Sequence, residues 1–252
     1  MKIGAQFYSI RDNTTTPEDL YKSFKSVKKI GYEIVQMSAI CQIDPYILKS
    51  YSDEFSLPIT CTHSPYDRII GDTDNLIREH IIYGCPTIGL GYMPNEFHEG
   101  KGVYSFIEAL KEPLRKIKAA GLNLAYHNHA FEFEKVDGKL MFDILIDELP
   151  ELDFILDTYW VKYAGYDYLE YIKRLGGKRL KNVHFKDMRT EPQGDICPCG
   201  EGVIDFAPVI ALCNELGIVN ALVEQDNAPD SGDSIGQMAI SFNNLKELFL
   251  RR

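Results

Sequence analysis

Residues 119–129 read Ala119-Ala120-Gly121-Leu122-Asn123-Leu124-Ala125-Tyr126-His127-Asn128-His129. The stretch closes a helical pattern that begins near Tyr104, stops it at Gly121, enters a β-prone run over Asn123–Asn128, and ends in histidines. A glycine just past a helix lets the chain turn without a Cβ clash. Helix, glycine, strand and then a polar strand end is the order of an α/β protein. That order recurs along the chain. β-Prone runs lie at Ile3–Tyr8, Glu33–Met37, Ile59–His63, Thr87–Gly91, Asn123–Asn128, Asp153–Asp157, Leu180–Lys186 and Asn220–Gln225. Their starting points are 30, 26, 28, 36, 30, 27 and 40 residues apart, one strand–helix unit per interval.

The intervening segments carry helical periodicity. Thr14–Thr16 followed by Pro17 is a cap-and-proline start. Tyr21, Phe24, Val27 and Ile30 then recur three to four residues apart until Gly31. Phe206–Leu216 repeats the pattern and ends at Gly217. Eight rounds favour a closed (β/α)8 TIM barrel over an open doubly wound sheet. An open sheet would place a glycine-rich phosphate loop after its first strand, and Phe7-Tyr8-Ser9-Ile10-Arg11-Asp12 stands there instead. The 252 residues fit one α/β barrel domain spanning 1–252. No Pro/Gly/Ser linker divides it, and Asp226–Gly232 is the most loop-like segment.

Composition narrows the function classes. Apolar residues make up 45% and charged residues 25%, with a net charge of -10. A duplex-binding protein gathers Lys and Arg on one face, and this acidic chain has only short basic pairs, so no nucleic-acid partner is expected. The N-terminus shows no charged-then-apolar leader. No run approaches the roughly 20 apolar residues of a membrane span. A cytoplasmic protein without a membrane partner is the expectation, and a homo-oligomer is left open. Cys41, Cys61, Cys85 and Cys213 read as small buried hydrophobes. Cys197-Pro198-Cys199 lacks the spacing of a redox or zinc motif and reads as loop.

In such a barrel, chemistry sits where strands end. The third strand ends at His63, the fifth at His127-Asn128-His129 with Glu132 just after, and the sixth at Asp157. The seventh ends at His184-Phe185-Lys186-Asp187 and the eighth at Glu224-Gln225-Asp226. Any one of these has an ordinary explanation: an Asp after a strand is usually a helix cap. Their convergence is the signal, because strands five to eight are neighbours around one mouth. Glu132, Asp157, His184 and Glu224 would bring three carboxylates and an imidazole together. Two like charges 4 Å apart repel by about 4 kcal/mol at an effective dielectric near 20. A divalent cation reverses that sign, and this donor set suits Mn²⁺, Mg²⁺, Co²⁺ or Zn²⁺.

Six motifs carry a resemblance: KIGAQFYSIRD at 2–12, YHNHAFEFE at 126–134, LDTYW at 156–160, VHFKD at 183–187, GEGVIDF at 200–206 and VEQD at 223–226. Together the chain resembles the xylose-isomerase-like TIM barrel superfamily, in particular its sugar phosphate isomerase/epimerase group, which also resembles endonuclease IV. The resemblance implies a metal held by Glu132, Asp157, His184 and Glu224, with His127 at the strand end as the alternative to Glu132. Glu132 and Glu224 would move the substrate proton, helped by His129 and Lys186, while His63, His127 and Trp160 would face the substrate. Lys186 and Asp187 are also placed for a local ion pair. Where the family often carries an acidic residue after the second strand, Gln36 stands, which is no base.

The leading expectation is isomerisation or epimerisation of a ketose or keto-sugar through an enediolate. The same intermediate would let a lyase or dehydratase act on a 3-keto-glycoside or inosose. A metal nuclease of the endonuclease IV kind needs a groove rich in Lys and Arg and is disfavoured. A non-catalytic sugar-binding barrel is the remaining class.

Overall fold

All eight β-prone runs form strands in the computed structural model, which describes residues 1–190 and 194–250. They are β1 (Lys2–Gln6), β2 (Ile34–Met37), β3 (Ile59–Thr62), β4 (Thr87–Leu90), β5 (Asn123–His127), β6 (Asp153–Asp157), β7 (Leu180–Phe185) and β8 (Asn220–Val223). The sheet is parallel, and β1 pairs with both β2 and β8. Its ends, β3 and β4, meet where the Ser64 N–H donates to the Gly89 carbonyl at 2.7 Å. The single-domain (β/α)8 barrel expected from the sequence is the observed architecture.

The three helical patterns read from the sequence, at Pro17, Tyr104 and Phe206, all form helices, and further helices fill the intervals between the other strands. Helix α1 (Pro17–Ile30) begins with Thr16 accepting from the Asp19 N–H and ends at Gly31. Helices α2 (Pro45–Glu54), α3 (Tyr66–Gly71), α4 (Thr73–Tyr83), α5 (Gly102–Ala119) and α6 (Met141–Glu148) follow. The ring is completed by α7 (Thr158–Tyr163), α8 (Tyr168–Arg179), α9 (Phe206–Glu215) and α10 (Ser234–Leu250). The Asp226–Gly232 stretch is partly ordered as a 3-10 turn at Ala228–Ser231. No helix among the described residues is long and apolar enough to cross a membrane.

Alternation along each strand divides the interior into two packing zones. Outward residues such as Phe154, Val183 and Phe185 join the core shared with the helices. Inward residues Ile34, Cys61, Ala125, Ile155 and Leu222 form a separate apolar plug. Gly89 completes the plug, since a Cβ there would lie 2.0 Å from the Thr62 carbonyl oxygen. The plug is the floor on which the site rests, because two residues further along the inward side chains turn polar on every strand but β4, where Gly91 stands.

Two local findings refine the sequence reading. Cys197 and Cys199 are buried like Cys61, Cys85 and Cys213, whereas Cys41 is only half-buried. Cys197 sits in a small antiparallel pair with Asp187. The Asp187 carboxylate does not pair with Lys186. It accepts N–H bonds from Met188, Gly200, Gly202 and Ile204 at 2.9–3.0 Å, tying the GEGVIDF loop to the end of β7.

His80 on α4 is fully buried, with Nδ1 on the Leu76 carbonyl at 2.7 Å and Nε2 on the Thr62 hydroxyl at 2.9 Å. Burial pushes its pKa down to about 4. Its stabilising contribution is therefore complete above the unfolded value near 6.5 and is lost as pH falls towards 4. We expect acidification across that window to cost of order 3 kcal/mol and His80→Gln to flatten the slope, read by chemical unfolding. An identical acid limb in the variant would contradict this.

Candidate metal centre

The inward residue two positions beyond the plug on each strand defines a polar ring. From β1 to β8 these residues are Gln6, Gln36, His63, Gly91, His127, Asp157, His184 and Glu224. Four of them bring ligand atoms within 4.8 Å of one another: His127, Asp157, His184 and Glu224. None of the four is more than 3% exposed. His127 Nε2 lies 3.3 Å from Asp157 Oδ2 and 3.9 Å from Glu224 Oε2. His184 Nδ1 lies 2.9 Å from Glu224 Oε2 and 3.9 Å from Asp157 Oδ2.

The surrounding hydrogen bonds decide what these atoms offer. His184 Nε2 meets Gln36 Oε1 at 2.9 Å. That oxygen only accepts, so Nε2 carries a proton and Nδ1, turned to Glu224 Oε2, is the nitrogen available to an ion. The Gln36 amide is itself oriented by its Nε2 donating to Ser38 Oγ at 3.3 Å. His127 Nδ1 meets the Gly91 carbonyl at 3.2 Å, so its Nε2 is likewise the bare nitrogen. Gly91 has to be glycine, because a Cβ would lie 2.7 Å from the His63 ring.

Each carboxylate commits one oxygen and frees the other. Asp157 Oδ1 caps α7 by accepting from the Tyr159 and Trp160 N–H groups at 2.8 and 3.2 Å. Glu224 Oε1 accepts from Gln6 Nε2 at 2.9 Å. Asp157 Oδ2 and Glu224 Oε2 are left facing the imidazoles. The Asp at the strand end is thus a helix cap and a member of the cluster at once.

Four lone pairs converging in a buried space repel unless a cation lies between them. Tetrahedral bonds of about 2.1 Å place ligand atoms about 3.4 Å apart, and the four imidazole–carboxylate separations span 2.9–3.9 Å. The residues fit a divalent ion. Two nitrogen and two oxygen donors make a set that divalent metals accept.

Glu132 is not brought to this centre, which corrects the expected ligand set. It lies on a 3-10 turn, Phe131–Phe133, beyond the end of β5. Its Oε1 accepts from the Tyr126 hydroxyl at 2.5 Å and its Oε2 from the His129 N–H at 2.7 Å. Tyr126 neighbours inward-facing His127 and therefore points to the opposite face of the strand, taking the Glu132 carboxylate with it.

Burial, together with the neighbouring histidines, holds His127 well below the ordinary histidine range. Burial likewise brings His63 down to about 3. Both stay neutral at ordinary pH. Burial pushes the Asp157 carboxyl up, against Lys186. It pushes Glu224 the same way, but His184 and Lys186 outweigh it and hold that carboxyl well below its usual range. Lys186 is itself buried, yet the carboxylates of Glu224, Asp157 and Asp226 keep it charged. Its Nζ lies 2.6 Å from Asp226 Oδ2 and 3.7 Å from Glu224 Oε2.

A cavity of about 510 Å³ opens above the cluster, walled in part by His63, His127, His129, Lys186, Glu224 and Asp226. Tyr8, Tyr66 and Tyr92 supply apolar faces. Among the described residues, His63 Nε2, His129 Nδ1 and Asp226 Oδ1 are buried without hydrogen-bond partners. Trp160 is not among the walls. It packs behind His129, and the Lys186 ammonium sits 4.8 Å from the centre of its ring. Gln6 and the Gly91 carbonyl were missed at the strand ends, and Gln36 was noticed only as a missing acid, not as the partner of His184. Following the period of two through β1, β2 and β4 would have found them.

The chain belongs to the xylose isomerase-like TIM barrel family, whose model matches residues 24–239. No curated protein matches the sequence. Solved structures share the fold at low identity. A sugar phosphate isomerase/epimerase from Parabacteroides distasonis is 19% identical over 98% of both chains, with a TM-score of 0.79. The IOLI protein with a bound zinc atom is 14% identical over 98% of both chains, TM-score 0.77. The probable 3-DHS dehydratase AsbF from Bacillus anthracis is 14% identical over 100% of both chains, TM-score 0.70.

Titration with Mn²⁺ or Zn²⁺ is expected to give one site per chain. His127→Ala, His184→Ala, Asp157→Ala and Glu224→Ala should each abolish it, and Glu132→Gln should retain it. Gln36→Leu should weaken it about 10–100-fold by releasing the His184 tautomer. Binding that survives in His127→Ala and fails in Glu132→Gln would reverse the assignment.

Proposed function

We propose that this chain is a metal-dependent enzyme that removes a proton beside the carbonyl group of a small sugar-like substrate. The observation that carries the reading is the buried His127–Asp157–His184–Glu224 group at the floor of a cavity whose walls hold further proton-carrying side chains. A divalent ion held there would supply Lewis-acid polarisation of the substrate carbonyl. Structural neighbours described as a sugar phosphate isomerase/epimerase and as binding zinc are consistent with this.

The chain's own groups divide the remaining work. Glu224 is the base: Gln6 holds Oε1, and the lone pair of Oε2 not directed at the ion would take the proton. Lys186 Nζ offers positive charge and a proton to the oxygen that gains charge during the reaction. His63 Nε2 and His129 Nδ1, without protein partners, receive or donate to substrate hydroxyls. The tyrosine walls accept the apolar face of a ring and limit access of water.

A two-sided epimerisation needs a second base across the substrate from Glu224. Glu132 is committed to Tyr126 and His129 and does not provide it. That favours chemistry on one side of the substrate: isomerisation, or elimination from a 3-keto-glycoside or inosose. In elimination, Glu224 would take the carbon-bound proton while Lys186, reprotonated through Asp226, protonates the departing oxygen. A structural neighbour described as a probable dehydratase agrees with this second reading. A nuclease role finds no support in the cavity, where Lys186, the lysine in the wall, is already bound by Asp226.

Incubating the Mn²⁺-loaded protein with ketoses, 3-keto-glycosides and inososes in D₂O should exchange a carbon-bound proton for deuterium in at least one of them. Glu224→Gln should slow that exchange by about 10²–10⁴-fold. No exchange in any candidate, or full exchange in the variant, would overturn the proposal.

A further inference from the structure

The cavity over the polar cluster has a neighbour at its side. A second cavity, of about 870 Å³, opens between the loop after β2 and helices α2, α3 and α4. The two share a wall made by Ser38, Ala39, His63, Ser64 and Pro65. At this junction Ala39 adopts a φ of 52°. That left-handed conformation is unfavourable for a residue with a Cβ, and it turns the loop aside beside the shared wall. The turn is held by the Cys41 N–H donating to the Thr14 carbonyl at 2.9 Å. His63, in the shared wall, has its Nε2 buried without a partner.

The charges in the two cavities select against phosphate. The cationic side chains in the walls are Lys186 in the first and Arg68 in the second. Lys186 is bound by Asp226. Arg68 is bound by Glu79 at 2.9 and 3.0 Å and by Asp72 at 2.8 Å. One guanidinium between two carboxylates leaves the side cavity net negative, which repels a phosphate dianion. Carboxylate oxygens do accept bonds from hydroxyl groups, and Leu48 and Leu76 add apolar surface beside them. A neutral ring with hydroxyls at its edge and an apolar face matches that lining.

We propose that the side cavity holds the second ring of a neutral, unphosphorylated two-ring glycoside, with the reacting ring over the polar cluster. The proposal rests on the reading of that cluster as the reacting centre, and it names the class of substrate. It also assigns Ser38–Asp44 and the Arg68–Asp72–Glu79 triad to recognition of the ring that does not react.

Calorimetry on the full Mn²⁺-loaded chain tests it with cellobiose, maltose and lactose against glucose and glucose 6-phosphate. At least one disaccharide should bind about tenfold more tightly than glucose, and glucose 6-phosphate should bind no more tightly than glucose. Gln42→Trp, at an exposed position lining the side cavity, should bring the disaccharide down to the level of glucose. Gln42→Phe should act in the same direction, and thermal melts report that both variants are folded. Three disaccharides no tighter than glucose, a preference untouched in both variants, or tighter binding of glucose 6-phosphate would each overturn the proposal. Titrating Mn²⁺ separates the two levels. Metal binding without a disaccharide preference removes the side-cavity assignment alone, and failure to bind metal removes the reading beneath it as well.

Discussion

The period of two along a β-strand is the constraint on which this molecule is built. In a closed parallel barrel every strand sends alternate side chains inward at matched heights. Ile34, Cys61, Ala125, Ile155 and Leu222 fill one height and exclude water from the barrel bottom. Two residues later the same strands place Gln36, His63, His127, Asp157 and Glu224 at the next height. Burying so many polar groups would be strongly unfavourable without partners. Here all but His63 find partners in or beside the ring, and the network is held against an apolar floor that cannot compete for their hydrogen bonds.

Within that ring the second partners matter as much as the first. Gln36 and the Gly91 carbonyl take the far nitrogens of His184 and His127, fixing which nitrogen of each is bare. Gln6 and the first turn of α7 take one oxygen each from Glu224 and Asp157. The result is four lone pairs converging from four strands, with orientation set before any ion arrives. Such preorganisation is what separates a metal site from a chance meeting of polar groups. It also explains the glutamine after β2: its carbonyl orients His184, a task an ionised carboxylate could perform only by adding another negative charge.

Much of this was legible in the sequence, and the failures have a common physical origin. The eight strands, helices α1, α5 and α9 with the glycines that follow them, and Asp157, His184 and Glu224 at polar strand ends follow from periodicity and from the position of the strand ends. Glu132 was misplaced because it lies past the end of β5, where the chain turns and strand alternation no longer tells inside from outside. His127, within the strand, obeys the alternation and occupies the central position. Lys186 next to Asp187 suggested a local pair. Adjacent residues on a strand point to opposite faces, so Lys186 reaches across to Asp226 while Asp187 binds backbone amides. Gln6 escaped notice, and Gln36 was read only as a missing acid, because uncharged amides carry no chemical signature until their neighbours are known.

The central claim is that two imidazoles and two carboxylates, rather than one imidazole and three carboxylates, bind one ion. Anomalous diffraction from crystals of the Mn²⁺-loaded protein addresses it directly. The account predicts a single manganese peak coordinated by His127 Nε2, Asp157 Oδ2, His184 Nδ1 and Glu224 Oε2, with Glu132 still on Tyr126 and His129. A peak ligated by Glu132 with His127 turned away, or manganese found only on the protein surface, would contradict it.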